Sequence, residues 1–215
     1  MLRLNECTAG GSMTAVSKEE LRQFIRQNGG NSQERNAQSM DICRHILQSN
    51  LYQTSKVIVG YMPLPREADI VPVLEAALKT GKKVALPLCG KAPFMSLRYV
   101  SSLGDLTRGA YGIPEPSIDA PVCDEAAADL VLVPLEGIDR NGCRLGKGKG
   151  YYDCLLKKTP AFTLGCALTW QIVDNVPTSP WDVPVKARVD MNGIYRYNND
   201  DRKDFDDEHP EEKQD

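Results

Sequence analysis

The chain has 215 residues, of which 41% are apolar and 26% are charged, and its formal net charge is −3. This composition is typical of a globular domain and excludes a fibre or a mostly disordered chain. No stretch approaches the roughly 20 apolar residues of a membrane helix, and the start lacks the basic and apolar regions of a secretion signal, so we expect a cytoplasmic protein without membrane contact.

The cysteines and histidines limit the chemistry further. The seven cysteines are scattered without a C-x-x-C pair, which argues against a disulfide framework and against a thiolate zinc site. We expect reduced thiols, packed mostly as small apolar groups. A Ser-His-Asp triad or a His-rich metal site would have to use His45 or His209, the two histidines of the chain.

The two ends of the chain differ from its middle. Residues 198–215 hold nine acidic and three basic residues, a net charge of −6, which leaves residues 1–197 at +3. Phe205 is the only large apolar side chain there, so we predict a disordered acidic tail, either solubilising or a docking segment. Residues 1–13 lack periodicity and are predicted to be a disordered extension, with Met13 as an alternative start. The folded domain is therefore expected over residues 14–197.

The first predicted element is a short amphipathic helix. Ser17 and Glu20 form a capping box, which marks its start. Apolar residues follow at helical spacing, namely Leu21, Phe24 and Ile25. The other face carries basic residues one turn apart, namely Lys18, Arg22 and Arg26. Such a like-charge column destabilises an isolated helix mildly, and an anion nearby would relieve it.

The later elements alternate between helix and strand. A second helix is predicted from Asn31 or Ser32 to near Asn50. Its buried side is predicted to hold Met40, Cys43, Ile46 and Leu47. The elements that follow are a strand at 57–62, a helix at 70–78 ended by Gly81, strands at 83–86, 94–100 and 130–133, a helix at 151–157, and a strand at 162–168.

This pattern predicts the fold class and the place of any site. Apolar strands that alternate with helices indicate a parallel sheet covered on both faces. We therefore predict a single three-layer α/β domain, with a mainly parallel sheet flanked by helices on both faces. Ligands of such sheets bind beyond the carboxyl ends of the strands. The loops that begin at Met62, Pro87 and Pro134 should line the site.

The most informative segment is Gly146 to Gly150, in which three glycines alternate with two lysines. Its backbone can turn sharply and present N–H groups to an anion, which the lysine ammonium groups would neutralise. Arg144 adds a planar fork suited to phosphate oxygens, and a helix that starts near Tyr151 would point its N-terminal N–H groups at the same place. The pattern favours phosphate binding, with a flexible solvated turn as the alternative.

This segment differs from two common nucleotide loops. A Walker A loop would need Gly at Cys143 and Ser or Thr at Gly150, and a dinucleotide G-x-G-x-x-G loop would need its third Gly at Tyr151. Asp153 closes the segment. It is either a ligand of Mg²⁺ shared with phosphate oxygens or a first-turn acid that interacts with the helix dipole, and spacing alone does not separate the two.

The segment from Asp139 to Asp153, DRNGCRLGKGKGYYD, resembles the signature of the 5-formyltetrahydrofolate cyclo-ligases, also called 5,10-methenyltetrahydrofolate synthetases. Further segments agree in order and approximate spacing. They are Lys18-x-x-Leu-Arg22, Tyr61 to Glu67, Gly81-Lys82-x-Val84 with Pro87, Gly112 to Pro116, and Gln171 with Val176, Pro177 and Asp182. The resemblance covers residues 17–190.

The resemblance implies an activity. It is the ATP- and Mg²⁺-dependent conversion of 5-formyltetrahydrofolate to 5,10-methenyltetrahydrofolate, with release of ADP and phosphate. Transfer of the γ-phosphoryl group to the formyl oxygen makes that oxygen a good leaving group, and a folate nitrogen then attacks the formyl carbon. Positioning and charge neutralisation suffice for such a reaction, so a protein nucleophile is unnecessary.

The resemblance also implies residue roles. Arg144 and Lys149 would be catalytic, next to the transferred phosphoryl group. ATP would contact Lys18, Arg22, Arg144, Leu145, Gly146, Lys147, Gly148, Lys149, Gly150, Tyr151 and Tyr152. The folate would contact Met62, Glu67, Tyr151 and Tyr152, and Asp153 and Asp182 would hold Mg²⁺.

Each role has a simpler alternative. Lys18 and Arg22 could be a solvated helix face, and Glu67 an exposed loop acid. Met62 could be strand-end packing and Asp182 a turn residue. The two tyrosines, 151 and 152, could belong to the core.

Some features depart from the family or argue against other functions. Gly137-Ile138-Asp139 lacks the aromatic residue that the family commonly has before this aspartate, and residues 88–107 show little that aligns. A nucleic-acid binder is disfavoured by the sequence pI of about 5.5. The other alternative is a sugar-phosphate isomerase or an acyl-coenzyme A transferase of similar architecture. Such an enzyme would need neither ATP nor Mg²⁺, so nucleotide dependence separates it from the ligase. We expect a monomer whose partners are its small-molecule substrates.

Overall fold

A computed structural model of the protein describes residues 16–109 and 112–197. Both predicted end segments lie outside these residues, so their disorder stays a prediction. The helices are α1 (Lys18–Gln27), α2 (Ser32–Gln48), α3 (Asn50–Thr54), α4 (Val71–Lys79) and α5 (Tyr151–Lys158). The strands are β1 (Val57–Val59), β2 (Lys83–Cys89), β3 (Met95–Val100), β4 (Thr107–Arg108), β5 (Pro114–Glu115), β6 (Val122–Cys123), β7 (Leu130–Val133), β8 (Gly137–Ile138), β9 (Arg144–Leu145), β10 (Phe162–Cys166), β11 (Ala187–Asp190) and β12 (Gly193–Arg196). No helix in the described part is long and apolar enough to cross a bilayer.

Eight strands form one twisted sheet in the order β12-β11-β10-β7-β1-β2-β3-β6. The five central strands, β11, β10, β7, β1 and β2, are parallel. β12 and β3 run antiparallel to them, and the edge strand β6 pairs antiparallel with β3. The predicted mainly parallel sheet is therefore confirmed. After β1 the chain builds outward through β2, β3 and β6, and it then returns to place β7 on the other side of β1. This reversal opens a crevice at the carboxyl ends of β1 and β7, where ligands bind in such folds.

Helices cover both faces of the sheet, as predicted. Ile58 and Leu132 point to the face covered by α2 and α4, whereas their neighbours Val59 and Val133 point to the face covered by α5. Side chains alternate between the faces because successive residues of a strand point in opposite directions. Full burial of each such side chain contributes about 1.5–3 kcal/mol. The two apolar layers therefore stabilise the sheet, and the crevice lies at the carboxyl-end edge of that sheet.

Helix α1 lies at this edge of the sheet. Its predicted capping box is present: the Ser17 backbone N–H donates to the Glu20 carboxylate at 2.8 Å, and the Glu20 N–H donates to the Ser17 hydroxyl at 3.2 Å. Leu21 and Ile25 are buried against Leu145 of β9 and against the segment that follows β10. Burial of this stripe turns the opposite, basic face of α1 towards the crevice.

Several predicted details were wrong. Met40 is 73% exposed, because the buried stripe of α2 runs through Ser39, Ile42, Cys43 and Ile46. Strand β1 ends three residues earlier than predicted. Strand β2 continues through Pro87, where its only ladder partner is β3, since the pairing with β1 ends at Ala85. Proline is tolerated at such an edge position, because no second ladder needs its missing N–H.

Candidate active site

A cavity of about 610 Å³ opens at the carboxyl ends of β1, β2 and β7, and it is bounded by α1, by the segment after β9 and by the start of α5. All the predicted site residues line it: Lys18, Arg22, Met62, Glu67, residues 144–153 and Asp182. Met62, Pro87 and Pro134 lie in its wall, as the carboxyl-end argument predicts. Side chains that are up to 164 positions apart in sequence are thus brought together.

The segment Gly146–Gly150, which we call the glycine-lysine loop, turns sharply at two glycines. Gly148 and Gly150 have φ values of 83° and 74°, a conformation that residues with a Cβ rarely adopt. Gly150 is the N-cap of α5, and no side chain caps this helix. This end of α5 therefore lacks a side-chain cap, and the helix dipole favours an anion there.

Helix α1 is joined to this loop through its basic face. The Arg22 guanidinium donates from Nε to the carbonyl oxygen of Gly146 at 2.9 Å and lies against Gly148. Lys18 forms an ion pair with Asp182 and donates to the Ser179 hydroxyl at 3.2 Å. The alternative that Lys18 and Arg22 form a solvated helix face is therefore wrong, because both side chains lie in the cavity wall.

Arg144 is the most deeply buried cation of the site. Its side chain is 5% exposed and donates from Nη2 to Oδ1 of Asp153 at 2.7 Å. Burial lowers the pKa of Arg144, and the charge of Asp153 opposes that change. Within the described residues, Nε of Arg144 has no hydrogen-bond partner. The pair therefore presents an arginine with unused donor capacity beside the glycine-lysine loop.

Two carboxylates hold the first lysine of the loop. The Lys147 ammonium lies 3.1 Å from Oε1 of Glu136 and 3.4 Å from Oε1 of Glu67. Burial raises the pKa of Glu67, which the backbone N–H of Leu64 and the charge of Lys147 partly offset. Burial also acts on Glu136, but hydrogen bonds from Arg26 and Lys147 outweigh it and leave the pKa of Glu136 lowered. An exposed loop acid is wrong for Glu67, since its side chain is 6% exposed.

The two tyrosines after the loop differ in their surroundings. The Tyr151 hydroxyl donates to the carbonyl oxygen of Gly90 at 2.9 Å, which joins α5 to the end of β2. Tyr152 packs against the apolar layer that includes Val133 and Leu155, and burial raises its pKa. Both rings nevertheless line the cavity. Core packing and ligand contact are therefore compatible for Tyr152.

Comparison with known proteins identifies the family. The sequence model of the 5-formyltetrahydrofolate cyclo-ligase family matches residues 14–189. The chain belongs to this family. The resemblance seen in the sequence is thereby confirmed, and so is the expectation of a ligase that acts in folate chemistry.

Similar proteins carry matching names. The chain is 31% identical over 189 residues to a probable 5-formyltetrahydrofolate cyclo-ligase of Caenorhabditis elegans, covering 80% of this chain and 92% of that one. It is 29% identical to the 5-formyltetrahydrofolate cyclo-ligase of Mus musculus, covering 78% and 88%. The solved structure of Aquifex aeolicus 5,10-methenyltetrahydrofolate synthetase superposes with a TM-score of 0.75 at 30% identity, covering 89% of this chain and 98% of that one.

In this cyclo-ligase-family chain, Asp153 and Asp182 suit a magnesium ion that also binds substrate oxygens. Among residues 16–109 and 112–197, no three His, Cys, Asp or Glu side chains cluster as a complete metal site. The described hydrogen bonds to Asp153 go to Oδ1, and those to Asp182 go to Oδ2, so each carboxylate retains a second oxygen. Mg²⁺ commonly takes one or two carboxylates and completes its shell with phosphate oxygens and water. The donor set therefore fits this ion.

Three polar residues in or beside the site received no role from the sequence. Glu136 is the third residue after β7, in a loop that the carboxyl-end rule had singled out. Buried Gln171 donates to the carbonyl oxygens of Leu135 and Arg66, at 2.8 and 3.2 Å, and so joins the loops that follow β7 and β1. Glu115 is 4% exposed in the opposite wall, and its Oε1 has no partner among the described residues. Gln171 and Glu115 lie in segments that resemble the family, but nothing in those segments indicates a role for either side chain.

Proposed function

We propose that this cavity catalyses the ATP- and Mg²⁺-dependent closure of 5-formyltetrahydrofolate to 5,10-methenyltetrahydrofolate, with release of ADP and phosphate. One observation carries the proposal. A cation-rich anion cradle, formed by the glycine-lysine loop and the uncapped start of α5, shares a single cavity with the buried carboxylate of Glu67. A nucleotide and a hydrogen-bond-donating heterocycle can therefore meet there.

The nucleotide would lie along the glycine-lysine loop. Backbone N–H groups of the loop and of α5 would donate to its phosphates, and Lys18 and Arg22 would neutralise charge from the α1 side. Arg22 is already fixed by its bond to Gly146, so little side-chain freedom is lost when a phosphate binds. This arrangement supports the ATP contacts expected at residues 144–152.

The folate would occupy the apolar part of the cavity beyond β1. Met62 offers a polarizable surface to the flat pterin ring, and the Glu67 carboxylate offers an acceptor for its N–H donors. Tyr151 and Tyr152 would border the two halves of the cavity. A buried carboxylate discriminates strongly for a donor-bearing ring, because a ligand without donors would leave the carboxylate unpaired.

Arg144 and Lys149 would act on the charge that moves during reaction. As the γ-phosphoryl group passes to the formyl oxygen, Lys149 neutralises its oxygens, while Arg144 holds them from the buried side. The neighbouring folate nitrogen then attacks the formyl carbon, and the phosphorylated oxygen leaves as phosphate. Exclusion of water by the cavity wall protects the activated formyl group from hydrolysis.

Asp153 and Asp182 would hold the magnesium ion, and their free carboxylate oxygens support this assignment. When bound, Mg²⁺ supplies neutralisation of the phosphate charge. We place the protein in the cytosol, as a monomer that binds neither nucleic acid nor membranes. Within the described residues all six cysteines are free thiols, which supports a reducing compartment.

The activity has a direct test. Purified protein with 5-formyltetrahydrofolate, Mg²⁺ and ATP should give a rise in near-ultraviolet absorbance, where the methenyl product absorbs. Omission of ATP should abolish the rise, because the formyl oxygen then stays a poor leaving group. The proposal fails if folded protein gives no rise, as expected for a sugar-phosphate isomerase or an acyl-coenzyme A transferase, or if the rise is the same without ATP.

Glu67→Gln should raise the KM for 5-formyltetrahydrofolate about tenfold, because a neutral acceptor makes a weaker hydrogen bond to the ring donors. The KM for ATP should change less than about twofold on the same reasoning. Steady-state kinetics with each substrate varied in turn measure both constants. Glu75→Gln, the same change on an exposed residue of α4, is the matched control. An equal rise in both KM values would argue against folate recognition by Glu67.

A further inference from the structure

Four charged side chains form a continuous row, of which Glu136, Lys147 and Glu67 line the cavity and Arg26 lies behind Glu136. Arg26 of α1 donates to both carboxylate oxygens of Glu136, at 3.0 and 2.9 Å. Oε1 of Glu136 also accepts a hydrogen bond from Lys147 at 3.1 Å. Lys147 in turn faces Glu67 at 3.4 Å. One lysine of the glycine-lysine loop is therefore shared between two carboxylates.

Lys147 is held unequally by its two partners. Its ammonium lies 3.1 Å from Oε1 of Glu136 and 3.4 Å from Oε1 of Glu67, so its contact with Glu67 is the longer and weaker of the two. Oε2 of Glu67 is used by the backbone N–H of Leu64 at 2.9 Å. Oε1 of Glu67 is thus the oxygen left for a ligand, and Lys147 is the group that a ligand must compete with.

The position of Lys147 therefore affects whether Oε1 of Glu67 can accept a hydrogen bond from a ligand. If the ammonium moved fully onto Glu67, it would satisfy the charge and block the free oxygen, and a ring donor would have to displace it. Glu136 opposes this movement by offering a second carboxylate. Arg26 fixes Glu136 in place, because its bonds to both oxygens leave the carboxylate little freedom to rotate.

We propose that Glu136 is a positioning residue, which holds Lys147 off Glu67 and so keeps one Glu67 oxygen free to accept a hydrogen bond from the folate ring. The inference rests on the proposed function, since it takes the donor-bearing ring to be that of 5-formyltetrahydrofolate. Glu136 touches neither substrate in this role. Its effect reaches the substrate through Lys147.

Glu136→Gln is the principal test, because it keeps the shape and removes the charge that retains Lys147. The dissociation constant of 5-formyltetrahydrofolate, measured by calorimetry without nucleotide, should rise about tenfold, as when a charged hydrogen bond is impaired. The KM for the folate should rise in parallel. The KM for ATP should not rise, since the cavity gains positive charge. Asp41→Asn, which removes an exposed carboxylate paired with Arg44 on α2, is the matched control and should leave both constants unchanged.

The Glu136→Gln substitution in a Lys147→Met protein distinguishes a positioning role of Glu136 from general disruption of the site. In a Lys147→Met protein the competitor of the substrate is absent, so adding Glu136→Gln should weaken folate binding no further. If Glu136→Gln does not fold, Arg26→Gln replaces it. This variant lets Glu136 rotate away from Lys147, so the folate dissociation constant should rise in the wild-type background and stay unchanged in the Lys147→Met background, whereas a merely structural network would weaken binding in both.

The outcomes distinguish the inference from the function on which it rests. If the wild-type protein binds the folate but does not turn it over with ATP, the ligase proposal fails and the dissociation constants still decide the role of Glu136. The inference is overturned if Glu136→Gln binds the folate as tightly as wild type does. It is also overturned if the weakening persists in full in the Lys147→Met background, or if the wild-type protein does not bind the folate.

Discussion

Replacement of Lys149 by alanine is expected to lower kcat by about 10²–10³-fold, the range found when one charge-stabilising group is lost from an active site. Among the described residues, Lys149 is the cavity-lining cation without an ion pair. The other four are held by carboxylates: Lys18 by Asp182, Arg22 by Glu19, Arg144 by Asp153, and Lys147 by Glu67 and Glu136. Lys149 can therefore follow a moving phosphoryl group without breaking a bond within the protein.

The Lys149 prediction is checked by initial rates at saturating ATP and folate, together with a thermal melt. Lys149 is exposed, so the melting temperature should change by less than about 2 °C. Lys157→Ala removes the same charge from an exposed position near the end of α5 and should keep nearly full turnover. A kcat within about threefold of wild type would remove Lys149 from the mechanism.

The sequence predicts those parts of the fold that depend on local rules. The capping box at Ser17, the glycine that ends α4, and the apolar runs of β1 and β7 each follow from a few adjacent residues. The carboxyl-end rule then places the loops at Met62 and Pro134 in the site. The two-residue strands β4, β5, β6, β8 and β9 were missed, because two residues are too few to show a period of two.

The side-chain pairs of the site are beyond such rules. Arg26 and Glu136 are separated by 110 positions and Arg22 and Gly146 by 124, so nothing near either residue in the sequence specifies its partner. The basic column of α1 predicts an anion nearby, but not which one. The structure supplies three different partners, namely a carboxylate for Lys18, a backbone carbonyl for Arg22 and Glu136 for Arg26.

The same pairing limits repulsion among the cations of the site. Crowding of five cations around one cavity would destabilise the fold if each were uncompensated. Carboxylates from α1, the loops and α5 neutralise four of them, and the same ion pairs hold the side chains in position for phosphate binding. Loss of a carboxylate should therefore affect stability and ligand binding together, most strongly where the pair is most deeply buried.

Asp153→Asn is expected to destabilise the fold by about 2–3 kcal/mol, because it leaves the buried Arg144 charge without its counterion. The estimate lies at the low end for broken buried pairs, since the Asp153 side chain is 18% exposed. For a domain of this size the melting temperature should fall by roughly 5–10 °C, measured by circular dichroism without ligands.

The matched comparison for Asp153 is Asp182→Asn, because Asp182 is the other proposed magnesium ligand but pairs with the more exposed Lys18. Its melting temperature should fall less than that of Asp153→Asn, since Lys18, at 28% exposure, can gain water contacts when its partner is lost, whereas Arg144, at 5%, cannot. Both variants should need several-fold more Mg²⁺ for half-maximal rate if both carboxylates hold the ion. Equal loss of stability in the two variants would contradict the structural role of the Arg144–Asp153 pair. If one variant keeps the wild-type Mg²⁺ requirement, the aspartate that it replaces is not a ligand of the ion.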